Sequence, residues 1–325
     1  MITILAVEVM GAPPILDQNR LLVGCFGSDL IFVKSKEDAL HILNDRKIDV
    51  LLVNSPVHSI LRQGKDKSGN LKTILCSSLT MEEYAVELAG EQNELLDHYI
   101  FWRDGNRFSQ LELLTTLQKL IRSDIFGLEK YLEAGYAMES FPITGTSSRD
   151  VLALEVENFC RKASLSVNAT RRAKAISEEL LMNAIYDAPV AAGLNHYEEK
   201  RADTFTLESE EQSILKLGCD SDVLMISVRD PFGAFTREKF YEYASKILHR
   251  HENAQLIDTK SGGAGLGIFK MLYDSHGLIV NIWPGTATEV LAIIELNAKS
   301  QSFSKAGRSL HYFTQNSPNP EVAIK

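Results

Sequence analysis

Four glycines fall within six residues late in the chain, directly before an apolar segment with helical spacing: Gly262, Gly263, Gly265 and Gly267. Glycine has no Cβ and tolerates positive φ, so the backbone N–H groups of such a loop can close on an anion. The start of the following helix adds a partial positive charge. The spacing therefore predicts a phosphate-binding loop, with an ordinary flexible turn as the alternative.

A carboxylate and a carboxamide lie four residues apart in a second segment, at Glu179 and Asn183. On a helix this spacing places both side chains on one face, while Leu180, Leu181 and Ala184 pack inward. The carboxylate can accept a proton, and the amide oxygen can ligate a hard cation such as Mg²⁺. The pair predicts a functional helix face, and a solvated face without chemistry is the alternative.

A third polar position is Asp230, which ends an apolar, strand-like run and is followed by a turn containing Gly233. A buried carboxylate can accept a hydrogen bond from an exocyclic amine such as adenine N6. The sequence Asp-Pro-Phe-Gly is also typical of an ordinary turn. The residues alone leave both interpretations open.

Length and composition limit the elements that position these residues. A chain of 325 residues with 45% apolar residues predicts two domains with real cores. The net charge is −9, and without a long lysine or arginine run direct nucleic-acid binding is disfavoured. The four cysteines lack metal-ligand spacing and indicate reduced thiols in a cytoplasmic protein. The short apolar start predicts a strand and not a signal peptide, and no segment is long enough to span a membrane.

The first 122 residues alternate strand-like and helix-like patterns, which predicts a parallel α/β domain. Strands are predicted over 1–8, 30–33, 48–53, 71–76 and 99–102, and helices over 36–47, from 81 and over 108–122. Ser35 is predicted to cap the helix 36–47. This order resembles the receiver domain of two-component response regulators, which implies a flavodoxin-like fold. Any other small doubly wound domain is the alternative.

The residues at the functional positions of a receiver depart from that family's pattern. In receivers, an aspartate at the end of the third strand is phosphorylated. Acidic residues after the first strand hold Mg²⁺, and a lysine ends the fifth strand. Here Asn54, Glu8 and the pair Trp102-Arg103 stand at those positions. Asparagine is a poor nucleophile and brings no charge to Mg²⁺. The resemblance therefore implies a pseudo-receiver that binds a partner or dimerises without aspartyl phosphorylation.

Residues 123–147 are predicted as a helical linker, 148–315 as a second domain and 316–325 as a tail. In chain order, the Glu179 helix, the Asp230 turn and the glycine loop resemble the N, G1 and G2 boxes of the GHKL (histidine-kinase-like) ATPases. The segment 279–290 is similar to that family's late hairpin. The resemblance implies an α/β sandwich with a mixed sheet, helices on one face, and ATP bound between them.

The resemblance also assigns roles to single residues. Glu179 would be the general base, and Asn183 would ligate the Mg²⁺ that bridges the phosphates. Asp230 would bind adenine N6, Gly233 would leave room for the ring, and Thr288 would support the base. The four glycines of the loop would shape an ATP lid around the phosphates.

Two boxes depart from the family pattern. The G1 box usually reads Asp-x-Gly-x-Gly, whereas here Gly233 is the third residue after Asp230 and Phe235 takes the place of the second glycine. Ala287 replaces a glycine of the late hairpin. These changes argue against a high nucleotide affinity, and they argue more strongly against turnover.

No histidine lies in a phosphoacceptor box. The pair His251-Glu252 lies between the second and third boxes and is interpreted as a solvated helix end. A compact ATPase domain without a phosphoacceptor helix looks most like the anti-sigma-factor serine kinases of bacteria. Those proteins phosphorylate an antagonist protein on serine and sequester a sigma factor.

Two hypotheses follow from the sequence. In the first, the chain is a cytoplasmic bacterial signal-transduction protein that binds ATP and Mg²⁺ and phosphorylates a partner protein on serine or threonine. That partner would be a signalling antagonist, a sigma factor or a kinase-like protein. In the second, the chain is a non-catalytic, partner-binding regulator with a pseudo-receiver and a degenerate ATPase domain. Both allow a homodimer, and neither involves nucleic acid or a membrane.

Overall fold

The chain forms two compact units in the computed structural model, which describes residues 2–24, 28–55, 57–80, 83, 95–199, 203–240, 242, 266–297 and 307–315. One unit comprises Met1–Asp124 and Gly307–His311, and the other comprises Ile125–Ala306 and Tyr312–Lys325. Several predictions lie wholly or largely outside the described residues, among them the helix from Met81, the pair His251-Glu252, three glycines of the loop 262–267 and the tail 316–325.

The first unit alternates strands and helices. Its elements are β1 (Thr3–Val7), α1 (Ile15–Gln18), α2 (Arg20–Gly24), β2 (Asp29–Val33), α3 (Lys36–Asp45), β3 (Val50–Val53), α4 (His58–Lys67), β4 (Lys72–Ser77), β5 (His98–Phe101) and α5 (Arg107–Arg122). The five predicted strands are thereby confirmed with small shifts of their ends. The Ser35 cap of α3 is also confirmed, since its hydroxyl accepts the N–H of Asp38 at 3.0 Å.

The strands of the first unit pair in parallel in the order β2-β1-β3-β4-β5. This is the flavodoxin-like, doubly wound order, which receivers share. The continuous apolar run of β3 is wholly buried, as expected for the centre of a parallel sheet covered on both faces. The unit is therefore a receiver-like α/β domain.

The sequence pattern does not predict three helices of this unit. Helices α1 and α2 have four and five residues, too few to show a period. Helix α4 buries only Ile60, Leu61 and Gly64. A Cβ at Gly64 would lie 2.5 Å from Leu71 Cδ2, so the helix approaches the chain before β4 too closely for a larger side chain.

Residues 307–311 belong to the first unit, although the sequence assigns them to the domain 148–315. They begin β11 (Ser309–Thr314), in which Leu310 pairs with Tyr99 antiparallel to β5. The Ser309 hydroxyl accepts the N–H of Phe101 at 3.0 Å and donates to Glu112 Oε2 at 2.9 Å. The sequence gives no sign of this pairing because the partners are about two hundred residues apart.

The second unit contains an antiparallel sheet and a helical layer. Its elements are a 3₁₀ turn (Leu128–Tyr131), β6 (Ala137–Ile143), α6 (Ser148–Lys162), α7 (Val167–Met182), a π turn (Asn183–Asp187), α8 (Ala188–Ala191), α9 (His196–Glu199), a 3₁₀ turn (Ser209–Glu211), β7 (Ser213–Cys219), β8 (Val223–Asp230), α10 (Leu266–Asp274), β9 (Gly277–Trp283) and β10 (Ala287–Glu295). The predicted late hairpin is thus the pair β9 and β10.

The strands of the second unit pair in the order β9-β10-β8-β7-β6, antiparallel throughout. Helix α7 packs against α6, α10, β8 and β10, and α10 also packs against β9 and β10. Pairing in the protein is therefore mixed: β1 to β5 pair in parallel, the start of β11 pairs antiparallel with β5, and the strands of the second unit are antiparallel. No helix in the described part of the chain is long and apolar enough to cross a membrane.

The predicted helical linker 123–147 is wrong over its second half. Ala137–Ile143 forms β6, which pairs with β7 from Ala137 opposite Cys219 to Ile143 opposite Ser213. As the edge of the sheet, β6 is exposed at alternate positions, and this weak apolar pattern does not mark a strand in the sequence.

A buried ion pair joins α4 to Asp97, the residue before β5. Lys65 Nζ lies 2.7 Å from Asp97 Oδ2, and the two side chains are 15% and 1% exposed. Asp97 Oδ2 also accepts the N–H of Thr73 at 2.8 Å. Removing one partner of such a pair leaves an uncompensated charge in the interior.

We expect Asp97→Ala to lower the free energy of unfolding of the first unit by about 3 kcal/mol, because Lys65 loses its anion. The measurement is urea unfolding followed by Trp102 fluorescence in a Trp283→Phe background. Asp17→Ala is the control, since it breaks only the exposed Lys34–Asp17 pair and should cost less than about 1 kcal/mol. Equal losses in both variants would contradict the structural role of Asp97.

Candidate functional site

The second unit contains a cavity of about 320 Å³ that is lined by α7, the π turn, β8, α10 and β10. This volume lies within the range of small-molecule sites, roughly 300–1,000 Å³. Its lining includes the apolar residues Leu180, Ala184, Val228, Phe235, Ile268 and Val290, and the polar residues Asn183, Asp187, Asp230, Lys239 and Thr288. A mainly apolar wall with a few polar groups is typical of a ligand site.

Helix α7 positions the first group of polar side chains. It begins at Ser166, whose hydroxyl accepts the N–H of Ala169 at 3.2 Å, and its apolar face is buried. Its last turns therefore hold Glu179 and the following Asn183 in a defined orientation. Asn183 begins the π turn, a wider helical turn that is frequent at functional sites. Asp187 ends this turn, and both Asn183 and Asp187 line the cavity.

The register of two strands positions the second group. Thr288 of β10 lies directly opposite Asp230 of β8. The two residues are 3% and 8% exposed, and both line the cavity. Asp230 Oδ1 accepts the N–H of Phe232 at 2.9 Å. The carboxylate is thus fixed by its own turn and by the neighbouring strand.

Burial raises the pKa of Asp230 from its ordinary value of 3.8 to about 6. Hydrogen bonds from the backbone of Phe232 and Gly233 and from Thr288 act in the opposite direction without cancelling the effect of burial. A carboxylate that lines a cavity although burial disfavours its ionised form is a candidate functional group.

The structure gives a reason for a glycine at position 233 that differs from the room for an adenine ring that the resemblance implies. The φ of Gly233 is +61°, and a Cβ there would lie 2.1 Å from the carbonyl oxygen of Trp283 and 2.7 Å from the nitrogen of Gly285. Gly285 N–H also donates to the carbonyl of Gly233 at 3.2 Å. The glycine lets the turn after β8 pack against the β9–β10 hairpin, so the space beside it is filled by backbone and not by a ligand ring.

The first turn of α10 passes close to the end of α7. A Cβ at Gly267 would lie 2.8 Å from Glu179 Oε2 and 3.7 Å from Asn183 Oδ1. Lys270, one helical turn further on, donates from Nζ to Glu179 Oε1 at 2.7 Å. The helix therefore brings a glycine and a cation to the predicted acidic face of α7.

The structure thus brings together most of the predicted site. Asn183, Asp230, Gly267 and Thr288 line one cavity, and Glu179 lies at its edge beside Gly267. Gly262, Gly263 and Gly265 lie outside the described residues.

Sequence reasoning misses Lys239, Asp187 and Lys270. Asp187 lies four residues after Asn183, and Lys270 lies three residues after Gly267. Helical spacing from a predicted residue is therefore the signal that could have found both. Lys239 has no such relation to a predicted residue.

The receiver-like unit holds its two candidate residues in structural hydrogen bonds. Asn54 is 1% exposed, its Oδ1 accepts the N–H of Val9 at 2.7 Å, and its Nδ2 donates to the carbonyl of Pro13 at 3.0 Å. Glu8 Oε2 accepts the N–H of Leu16 at 2.8 Å and so caps α1. Burial nevertheless raises the pKa of Glu8. Both side chains fasten the loop between β1 and α1.

The residues at the end of β5 are also structural. Trp102 is buried in the core of the first unit. The guanidinium of Arg103 donates to the carbonyl of Gly307 at 2.8 Å and lies over the ring of Phe101, 4.7 Å from its centroid. Arg103 is thus held by the chain before β11 and by the ring of Phe101.

No group of three or more histidine, cysteine, aspartate or glutamate side chains in the described residues is arranged to hold a metal ion. Mg²⁺ bound with nucleotide phosphates needs only one or two protein oxygens, since phosphates and water supply the rest. The amide oxygen of Asn183, at the edge of the cavity, fits such a role. Cys76, Cys160 and Cys219 are buried, free thiols.

Comparison with known proteins finds no matching family model and no matching curated protein. Among solved structures, the response regulator protein TrrA from Thermotoga maritima, in complex with Mg²⁺ and BeF, is 18% identical with a TM-score of 0.30. That match covers 37% of this chain and 99% of the other. Homoserine dehydrogenase from S. aureus is 12% identical with a TM-score of 0.18, over 96% of this chain and 99% of that one. The receiver-like description of the first unit rests on its strand order and registers.

Replacing Asn54 by Asp should destabilise the first unit and not restore a receiver. The aspartate would lose the hydrogen bond to Pro13 and place a carboxylate oxygen against that carbonyl, at a cost of about 1–3 kcal/mol. Urea unfolding followed by Trp102 fluorescence measures the loss, with the exposed Asn44→Asp as control. In the wild type, acetyl phosphate should leave the mass of the protein unchanged. A stable, phosphorylated Asn54→Asp variant would contradict this interpretation.

Replacing Asp230 by Asn should stabilise the second unit at neutral pH and have little effect in acid. The raised pKa means that ionised Asp230 is penalised in the folded state only. This penalty is absent below about pH 4, grows as the pH rises, and is complete above about pH 6, where two pKa units correspond to about 3 kcal/mol.

Urea unfolding at about pH 4 and about pH 8, followed by Trp283 fluorescence in a Trp102→Phe background, measures this difference. The exposed Asp150→Asn serves as the control. A stability difference between wild type and Asp230→Asn that is the same at both pH values would rule out the buried carboxylate as its source.

Proposed function

We propose that the cavity of the second unit binds Mg-ATP and that the chain is a signalling protein of the GHKL type. The observation that supports this most directly is the convergence on one cavity of the predicted residues Asn183, Asp230, Gly267 and Thr288. These residues come from the π turn after α7, β8, α10 and β10, far apart in the sequence, in the order of the family's boxes. Chance placement of four such residues around one small-molecule cavity is a poor alternative.

The base would bind at the end of the cavity formed by the two strands. Asp230 is the carboxylate there, and an adenine N6 amine would donate to it, with Thr288 beside it. The apolar residues Val228 and Val290 offer a surface for the ring. A guanine would present its O6 acceptor to the carboxylate, so this site should favour ATP over GTP.

The phosphates would extend toward the start of α10. Gly267 has no side chain there, and the first N–H groups of a helix attract anions. Asn183 would ligate the Mg²⁺, which neutralises the phosphate charge when it is bound. Among the described residues, Lys239 places a cation at the cavity and Lys270 places one at its edge.

Phosphorylation of a partner is the activity that Glu179 would support. The hydroxyl oxygen of a serine or threonine would form a bond to the γ-phosphorus while the bond to the β–γ bridging oxygen breaks and ADP leaves. The hydroxyl proton would pass to the Glu179 carboxylate. The main contributions of such a site are positioning and charge neutralisation.

A non-catalytic regulator is the second candidate, and two observations favour it. Glu179 already has a cationic partner in Lys270, and the receiver-like unit uses Asn54 and Glu8 to fasten a loop. Such a protein would bind nucleotide or a protein partner and change conformation without phosphoryl transfer.

Isothermal titration should show binding of Mg-ATP to the full chain, and Asp230→Asn should weaken it about tenfold or more, because a buried charged hydrogen bond is lost. Asp150→Asn should leave the affinity unchanged. Absence of heat and of a thermal shift at millimolar Mg-ATP would exclude the nucleotide site. Radiolabelled phosphate transfer to a partner that is lost in Glu179→Gln would favour the kinase, and binding without any turnover would favour the regulator.

A further inference from the structure

The ion pair between Glu179 and Lys270 links the end of α7 to the second turn of α10. Lys270 Nζ donates to Glu179 Oε1 at 2.7 Å, and the lysine side chain is 53% exposed while that of the glutamate is 20% exposed. The other carboxylate oxygen, Oε2, faces Gly267. One oxygen of Glu179 is therefore occupied by the ammonium of a half-exposed lysine, and the other points to the edge of the cavity.

The pair lies beside the end of the cavity that would receive phosphates. Gly267 lies one helical turn before Lys270, so both residues are on one face of α10. Asn183 Oδ1 lies on the same side, 3.7 Å from the position of a Gly267 Cβ. The lysine can thus reach either the carboxylate or a negative group placed beside Gly267 by rotation of its own flexible side chain.

We infer, on the basis of the proposed nucleotide site, that Lys270 senses the terminal phosphate of ATP. In the nucleotide-free protein its ammonium is bound to Glu179. When Mg-ATP binds, the ammonium moves to the γ-phosphate and releases Glu179. With ADP the terminal phosphate is missing and the Glu179–Lys270 pair persists.

The direction of this exchange follows from the strengths of the two interactions. An ion pair whose lysine is half-exposed contributes little to stability, because water screens the charges. A hydrogen bond from an ammonium to a phosphate is among the stronger hydrogen bonds of proteins. The lysine therefore gains by leaving Glu179 whenever a γ-phosphate lies within its reach.

The exchange would make the proposed base available only when it is needed. While Lys270 is bound, Oε1 of Glu179 already accepts a hydrogen bond from the ammonium. Release of Glu179 by the γ-phosphate would couple the presence of ATP to proton abstraction from the partner's hydroxyl. In a non-catalytic regulator the same exchange would distinguish the ATP state from the ADP state.

Calorimetric titration of the full chain with Mg-ADP and with the Mg²⁺ complex of the non-hydrolysable analogue AMPPNP tests this inference. Lys270→Met should weaken AMPPNP binding about tenfold and ADP binding less than about twofold. Lys270→Arg should retain most of the wild-type preference for AMPPNP. Glu179→Gln, which removes the competing carboxylate, should tighten AMPPNP binding about twofold or more and leave ADP binding unchanged.

Lys174→Met is the matched control. Lys174 lies on α7, the helix of Glu179, but away from the cavity, and it forms an exposed ion pair with Glu157 of α6. Equal losses of AMPPNP and ADP affinity in Lys270→Met, or no loss of either, would overturn the sensor. Unchanged or weaker AMPPNP binding in Glu179→Gln would also overturn it. If the wild type binds neither nucleotide, the proposed nucleotide site itself is wrong. If the wild type binds both and Lys270→Met keeps the wild-type preference for AMPPNP over ADP, only the sensor is wrong.

Discussion

The antiparallel register between β8 and β10 is the constraint on which the site of the second unit depends. It sets Thr288, at the start of β10, opposite Asp230, at the end of β8. A shift of one residue would turn every side chain of one strand to the opposite face. The turn after β8 can pack against the β9–β10 hairpin in this register only because Gly233 lacks a Cβ. The buried carboxylate, the hairpin and the cavity thus have a common origin.

Burial raises the pKa of an acidic group in both units, but Glu8 of the first unit caps a helix whereas Asp230 of the second lines a cavity. In the first unit, Asn54 uses its acceptor and its donor to hold the loop after β1, and Glu8 caps a helix. These groups serve the fold. In the second unit, Asp230 keeps a raised pKa despite several donors, which means that its burial costs stability. Such a cost is expected where a group is retained for binding, and it directs attention to the second unit.

Local patterns predicted much of the fold. The apolar run 48–53 marks the buried strand β3, and Ser35 marks the start of α3, because burial on both faces and helix capping act within a few residues. The linker 123–147 was misassigned because β6 is an edge strand, half exposed, and its identity depends on pairing with β7. The first-unit membership of 307–311 depends on contacts across about two hundred residues and leaves no local pattern.

By itself the sequence determined the candidate residues Glu179, Asn183, Asp230, Gly267 and Thr288 and their chain order, since residue type and helical or strand spacing are local properties. Tertiary structure alone decided that four of them line one cavity and that the fifth is paired with Lys270. It also decided that Gly233 accommodates backbone and that Asn54 is a structural link. The physical reason is that distances between segments, and the burial that shifts a pKa, arise only when the elements pack together.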